Sequence, residues 1–249
     1  MGRLENKVAV ITGAASGFGE GMARRFAEEG AKVVVADLNS KGAERVAGEI
    51  GEAALPVTAD VTMAADLERM VAACMEKFGR LDVMVNNAGY SHRNGPLTEV
   101  DETIFDLITA VNMKAIYHTA RLVVPIMERQ GGGSIITTAS TAGLRPRPGL
   151  AWYNASKGWT ISATKSMAVE LAPKNIRVNC LCPVAGDTPM LATFMGEDTP
   201  EKRAQFRASI PLGRLSTPLD VANAALWLAS DEAAFITGVA LEVDGGRCI

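Results

Sequence analysis

Apolar positions along the chain fall into two alternating patterns. Short runs that are apolar almost throughout, Lys7 to Thr12 and Lys32 to Ala36 first among them, alternate with segments whose apolar residues recur at helical spacing. Phe18, Met22, Ala23 and Phe26 show that spacing within 18–29. A Val-rich run with no polar alternation suits a strand buried on both faces, as in parallel sheets. Gly30 stops the first helix, so residues 7–36 predict a strand-helix-strand unit.

The alternation continues through helix 40–50, strand 54–58, helix 63–78, strand 82–85, a long helix 102–129, strand 134–139, helix 152–172 and strand 176–181. A polar, proline-punctuated stretch at 183–217 precedes helix 218–229 and a last strand at 239–243. With no internal repeat and no linker composition, residues 1–249 read as one α/β domain with a substrate-loop insertion around 184–217. Right-handed crossovers then predict a doubly wound parallel sheet of about seven strands flanked by helices. Ligands should sit beyond the carboxyl ends of the strands, at the switch point.

Composition excludes several functions. Apolar residues make up 48% and charged residues 21%, the balance of an ordinary globular protein. Lys plus Arg number 25 against 28 Asp plus Glu, and a formal net charge of -3 provides no field for nucleic acid or anionic lipid. No stretch reads as long and apolar enough to span a membrane, and Met1 to Lys7 runs into an apolar strand without the features of an export signal. Cys74, Cys180, Cys182 and Cys248, with His92 and His118, show no metal-ligand spacing. No metal site is expected, and reduced thiols in the cytoplasm are.

Candidate chemistry follows the strands. Thr12 to Gly19 joins the first strand to the first helix and places Gly13, Ser16, Gly17, Phe18 and Gly19 where backbone must approach a diphosphate at a helix start. The spacing is not GxGxxG, and alone it could be a tight turn. Asp37 closes the second strand, where a carboxylate accepts ribose hydroxyls and repels a 2'-phosphate, favouring NAD over NADP. A helix N-cap is the alternative. Leu38 could flank the adenine, and no basic residue at Ala14, Ala15 or Leu38 compensates a phosphate. Asp60 with Val61, and Asn87-Ala88-Gly89, supply polar groups at the same sheet edge; Asp60 either recognises adenine or caps the helix before Met63. Asn86 is expected to tie strands together.

Tyr153 and Lys157 stand i, i+4 near a helix start and project from one face. Bringing a phenol from a pKa near 10 to about 7 needs roughly 4 kcal/mol, and an adjacent ammonium could supply much of it. Ser140 ends the fifth strand, and Asn112 lies in the long helix before it. Tyr-x-x-x-Lys alone is also an ordinary solvated helix pair.

Together, the elements TGxxxGxG (Thr12 to Gly19), NNAG (Asn86 to Gly89), Asn112, Ser140 and YxxxK (Tyr153 to Lys157) appear in order over essentially the whole chain, which thereby resembles the short-chain dehydrogenase/reductase family. The resemblance implies a Rossmann-like fold, NAD as cofactor and a homotetramer packed through the helices near 102–129 and 152–172. It further implies that Tyr153 exchanges the proton, Ser140 positions and polarises the substrate oxygen, Lys157 holds the ribose and lowers the tyrosine pKa, and Asn112 holds a relay water. Pro183, Val184 and Thr188 match positions that hold the nicotinamide. The chain departs from the family's usual Pro-Gly there, reading Cys182-Pro183-Val184-Ala185-Gly186.

The substrate side is expected at Ser91 to Arg93, Leu144 to Trp152, Met190, Leu191, Phe194 and Met195, with His92, Leu144, Trp152, Met190, Phe194 and Met195 as candidate contacts. For His92, a surface-loop histidine is the alternative. An amphipathic helix at 189–195 would be either a lid or the filling of a surface groove. The apolar lining favours a secondary alcohol and its ketone, aromatic or alicyclic. Arg93, Arg145 and Arg147 leave an anionic acyl substrate open. A 3-oxoacyl thioester reductase and a sugar dehydrogenase are the enzyme alternatives, and an NAD-binding sensor without chemistry is the non-enzyme one.

Overall fold

Every residue of Val8–Thr12 (β1) is buried, as a strand covered on both faces must be. It pairs in parallel with Lys32–Asp37 (β2) on one side and Val83–Asn86 (β4) on the other. Ala54–Thr58 (β3), Gly133–Thr138 (β5), Ile176–Pro183 (β6) and Ala240–Val243 (β7) complete a parallel sheet of seven strands in the order β3-β2-β1-β4-β5-β6-β7. The computed structural model describes residues 2–249.

The two-residue period of the strands sorts the core into two layers. Ala9, Ile11, Val33 and Val35 pack with Met22 and Phe26 of Gly17–Glu28 (α1), Val46 of Ser40–Ile50 (α2), and Val221 and Leu226 of a later helix, Pro218–Ala229. Val8, Val10, Val34 and Met84 face the other way. They meet Leu67 and Met70 of Ala64–Phe78 (α3), Met127 of a helix at Ala115–Gln130, and Leu171 of one at Ala151–Leu171. Order reverses between β1 and β4, and loops after both strands open a crevice there.

The expected helix 102–129 is not continuous. Glu102–Thr109 (α4) and Ala115–Gln130 (α5) are separated by a π segment, Ala110–Lys114, in which the Ala115 N–H reaches back to the Ala110 carbonyl. The wider turn carries Asn112, and such bulges recur at functional sites. Ala151–Leu171 (α6) follows as expected.

The stretch after Pro183 holds Leu191–Met195 (α7) and an unexpected helix, Pro200–Ala208 (α8), before Pro218–Ala229 (α9). The start signals of α8 were in the chain: Thr199 caps the Lys202 N–H at 3.3 Å, Pro200 takes the first turn and Glu201 faces the helix dipole. Its short apolar pattern hid it in a polar stretch. No helix among the described residues is long and apolar enough to cross a membrane.

Candidate active site

The turn from β1 into α1 is shaped by close approach. A Cβ on Gly19 would stand 2.0 Å from the Gly13 carbonyl oxygen, and one on Gly13, at φ +65°, would stand 2.9 Å from the Ala88 Cα. Asn87 clamps the turn: its Nδ2 donates to the carbonyls of Thr12 and Gly13 at 3.0 and 3.1 Å, while Oδ1 accepts from Thr138 Oγ1 at 3.1 Å. The tie across β1, β4 and β5 is therefore Asn87, not Asn86. Asn86 instead accepts from Thr119 Oγ1 of α5 at 2.8 Å.

A cavity of about 600 Å³ runs along this edge of the sheet. One end is formed by Asp37, Leu38, Asp60 and Val61. The middle passes over Gly13, Ser16, Gly17, Phe18 and Asn87 to Gly89, and the far end reaches Ser140, Tyr153, Lys157, Pro183, Val184 and Thr188. Gly19 lies outside the lining and acts through the packing of the turn.

Asp37 is not a helix cap, because Asn39 caps α2 by accepting the Gly42 N–H. The Asp37 carboxylate accepts the N–H groups of Ala15 and Asn39, both at 2.9 Å, which fixes it on the cavity wall with lone pairs to spare. Asp60 accepts both the N–H and the hydroxyl of Thr62, so it closes a turn, and its side chain gives α3 no cap. An elongated crevice with a carboxylate at one end and Cβ-free backbone in the middle fits a dinucleotide, so these residues would hold one.

At the far end, Tyr153 and Lys157 occupy successive turns of α6, both buried. Lys157 Nζ donates to the Thr138 carbonyl at 2.8 Å and lies 5.7 Å from the Tyr153 ring centroid. Ser140 Oγ accepts the Ala142 N–H at 3.1 Å, which holds the hydroxyl at the tip of β5. Burial pulls the Lys157 ammonium down to about 8, opposed by the neighbouring Cys182 and Cys180 thiols. Burial pushes the Tyr153 phenol up to about 12, and the Ser140 hydroxyl only partly offsets this. In the chain without cofactor, then, burial holds the phenol above its ordinary value even with the Lys157 ammonium one turn away.

Asn112 lies beside this site but not on the cavity wall. Its Oδ1 accepts the Tyr90 N–H, and its Nδ2 donates to the Tyr90 carbonyl and to Ser156 Oγ, each at 2.9 Å. With both amide protons committed, it braces the loop after β4. The displaced glycine of the loop after β6 also has a reason, since a Cβ on Gly186 would stand 2.4 Å from Phe18 Cζ. The same loop brings Thr188 over Gly17, whose added Cβ would meet Thr188 Cγ2 at 3.3 Å.

On the substrate side, Phe194 of α7 packs on Tyr153 with ring centroids 5.1 Å apart, and Met190 joins the lining. Four candidates point elsewhere. Leu144 is exposed and off the cavity. Trp152 donates Nε1 to the Leu97 carbonyl at 3.1 Å and sets its ring edge-on to Phe105. Met195, the last residue of α7, is buried and off the cavity lining. His92 is neither a lining residue nor a surface histidine: it is buried, with Nδ1 2.9 Å from the Arg93 carbonyl. Lining residues missed from the sequence include Leu107, Val111 and Phe206. Phe206 sits on α8, inside the polar stretch 183–217.

The four cysteines are free and three are buried, with burial raising the Cys74 thiol to about 12, so they pack as small apolar groups.

Comparison with known proteins agrees with this geometry. A family model described as enoyl-(acyl carrier protein) reductase matches residues 13–247. The chain is 48% identical to 4-formylbenzenesulfonate dehydrogenase of Comamonas testosteroni, covering 99% of both chains. It is 43% identical to 2,5-dichloro-2,5-cyclohexadiene-1,4-diol dehydrogenase of Sphingobium indicum, over 98% of this chain and 97% of that one. The crystal structure of 3-ketoacyl-(acyl-carrier-protein) reductase from Brucella melitensis complexed with NADH superposes with a TM-score of 0.94 at 53% identity, covering 99% of this chain and 100% of the other.

The fold and site are those of a nicotinamide-dependent oxidoreductase. More narrowly, the chain belongs to the short-chain dehydrogenase/reductase family and acts on CH–OH groups.

Proposed function

We propose that the chain uses NAD to interconvert a secondary alcohol, carried on or beside an aromatic or alicyclic ring, and its ketone. The observation that carries the reading is one cavity joining Asp37 at its dinucleotide end to Ser140, Tyr153 and Lys157 at the other. Ring substrates are supported by the apolar wall of Leu150, Met190, Phe194 and Phe206, and by relatives named for ring-bearing substrates. The NADH-bound structural relative and the Asp37 carboxylate support NAD.

When bound, the cofactor supplies the hydride or accepts it and, oxidised, adds a positive charge that favours the phenolate. The protein's own residues do the rest. Ser140 holds the substrate oxygen, and Tyr153 gives that oxygen a proton in reduction or takes one in oxidation. Neutral in the free site, Tyr153 starts as a proton donor. Lys157 would hold the ribose, and Asn112 positions the backbone of Tyr90, which lines the cavity. Phe194 covers the phenol and α7 closes over it, excluding water.

Tyr153→Phe is the test. With 1-phenylethanol and cyclohexanol as substrates, kcat should fall on the order of 100- to 10,000-fold. NADH affinity, read by fluorescence, should stay within a few-fold. Undiminished turnover, or tight NADH binding with no activity in the native protein on any alcohol or ketone, would refute the reading.

We also infer a homotetramer. Support comes from exposed large apolar side chains on the helices named by the resemblance: Phe105 on α4, Tyr117 on α5, and Trp159 and Val169 on α6.

A further inference from the structure

Four charged side chains line the cavity: Asp37, Asp60, Lys157 and Arg147. The two carboxylates stand at the dinucleotide end, and Lys157, bonded to the Thr138 carbonyl, is the group that would hold the ribose. Arg147 is therefore the one uncommitted charge on the substrate side, among Leu150, Met190, Phe194 and Phe206.

Its surroundings leave the guanidinium without an anion. Among the described residues no carboxylate lies within 4.0 Å of it, whereas Arg3, Arg24, Arg25, Arg45, Arg69, Arg80, Arg203 and Arg214 each hold one. Its side-chain hydrogen bond is a long one, Nη2 to Ser209 Oγ at 3.3 Å, and the Phe206 ring centroid lies 4.6 Å from Cζ. Most of its five donors remain free. Burial lowers its proton affinity first, Arg247 and Arg145 lower it further, and Cys248 opposes them in part. Arginine keeps its proton regardless, so the site holds a partly desolvated cation beside other cations, a costly arrangement that a bound anion relieves. The backbone of Arg147 is anchored next to the reacting residues, its carbonyl accepting Asn154 Nδ2 at 2.8 Å.

We propose that Arg147 binds an oxyanion carried by the substrate, a sulfonate or carboxylate, while the reacting carbon is presented to Tyr153. The substrate class is then a ring compound with a carbonyl or carbinol at one end and a monoanion at the other, which deepens the ring-alcohol reading and rests on it for the chemistry. Arg147 sets specificity and takes no part in proton or hydride transfer. The planar guanidinium pairs with two oxygens of either anion, and the aromatic wall takes the ring.

The test uses matched pairs in the NADH-loaded protein: 4-acetylbenzenesulfonate against acetophenone for turnover, and benzenesulfonate against benzenesulfonamide for binding. kcat/KM should favour the anionic ketone on the order of 10- to 100-fold, the range of a hydrogen-bonded charge pair. Arg147→Met should collapse that ratio towards one, mainly through KM, and Arg147→Lys should restore part of it. A ratio near one in the native protein, or a preference that survives in the Met variant, overturns the inference even where ring ketones are reduced. Conversely, Arg147-dependent binding of benzenesulfonate with no ketone turned over would uphold the anion site and sink the ring-alcohol reading.

Discussion

Replacing Lys157 by methionine should make the cofactor-free protein more stable while removing its activity. The buried ammonium has its pKa pulled from 10.5 to about 8, so at neutral pH holding it charged costs about 3 kcal/mol relative to the unfolded chain. Methionine fills similar space without charge. It forfeits the hydrogen bond from Nζ to the Thr138 carbonyl, which offsets roughly 1–2 kcal/mol of the gain. The net is about 1–2 kcal/mol, or roughly 2–8 °C in Tm for a chain of this size.

The pH dependence gives the sign. Because the folded-state pKa is depressed, the cost is absent above the ordinary value of 10.5, builds as pH falls towards about 8, and is constant below that. The variant's advantage should therefore be full at pH 7 and fade between pH 8 and 10.5. Tyr153, raised to about 12, loses its own contribution only above its ordinary value of 10, and does so in both proteins. Thermal scans of both proteins without cofactor from pH 6 to 10 would show the two curves converging and, once the cost drops below that of the lost hydrogen bond, crossing above about pH 9. A methionine variant that is less stable at pH 7, or an offset that does not change with pH, would refute the argument that desolvation dominates this site.

Two more outcomes follow from the fold. Asp37→Ala removes the carboxylate that fixes the Ala15 and Asn39 N–H groups. It should weaken NADH binding about 10-fold or more, with a smaller loss or a gain for NADPH; equal losses for both, by fluorescence titration, would show that Asp37 serves the turn alone. For assembly, light scattering on the eluting protein should give about four times the chain mass, and a monomer would leave Phe105, Tyr117, Trp159 and Val169 unexplained.

What the sequence determined by itself is what short-range pattern encodes. Unbroken apolar runs such as Val8–Thr12 can only be strands covered on both faces, and the order of strands and helices leaves a doubly wound sheet as the economical arrangement. The residues at strand ends, Gly13, Asp37 and Ser140, follow from that arrangement, and the family resemblance adds Tyr153 and Lys157 of the next helix to the same crevice.

Tertiary structure decided what periodicity cannot carry. The π segment carries Asn112, whose side chain bonds the backbone of Tyr90, a contact between distant positions. Whether a side chain such as His92, Leu144 or Trp152 faces the crevice depends on what packs behind it, as Leu97 and Phe105 do behind Trp152. The state of Tyr153 is set by burial, and that of Arg147 by burial together with Arg247 and Arg145, which the fold brings near it. Charge and solvation are sums over neighbours, and only the folded chain says who those neighbours are.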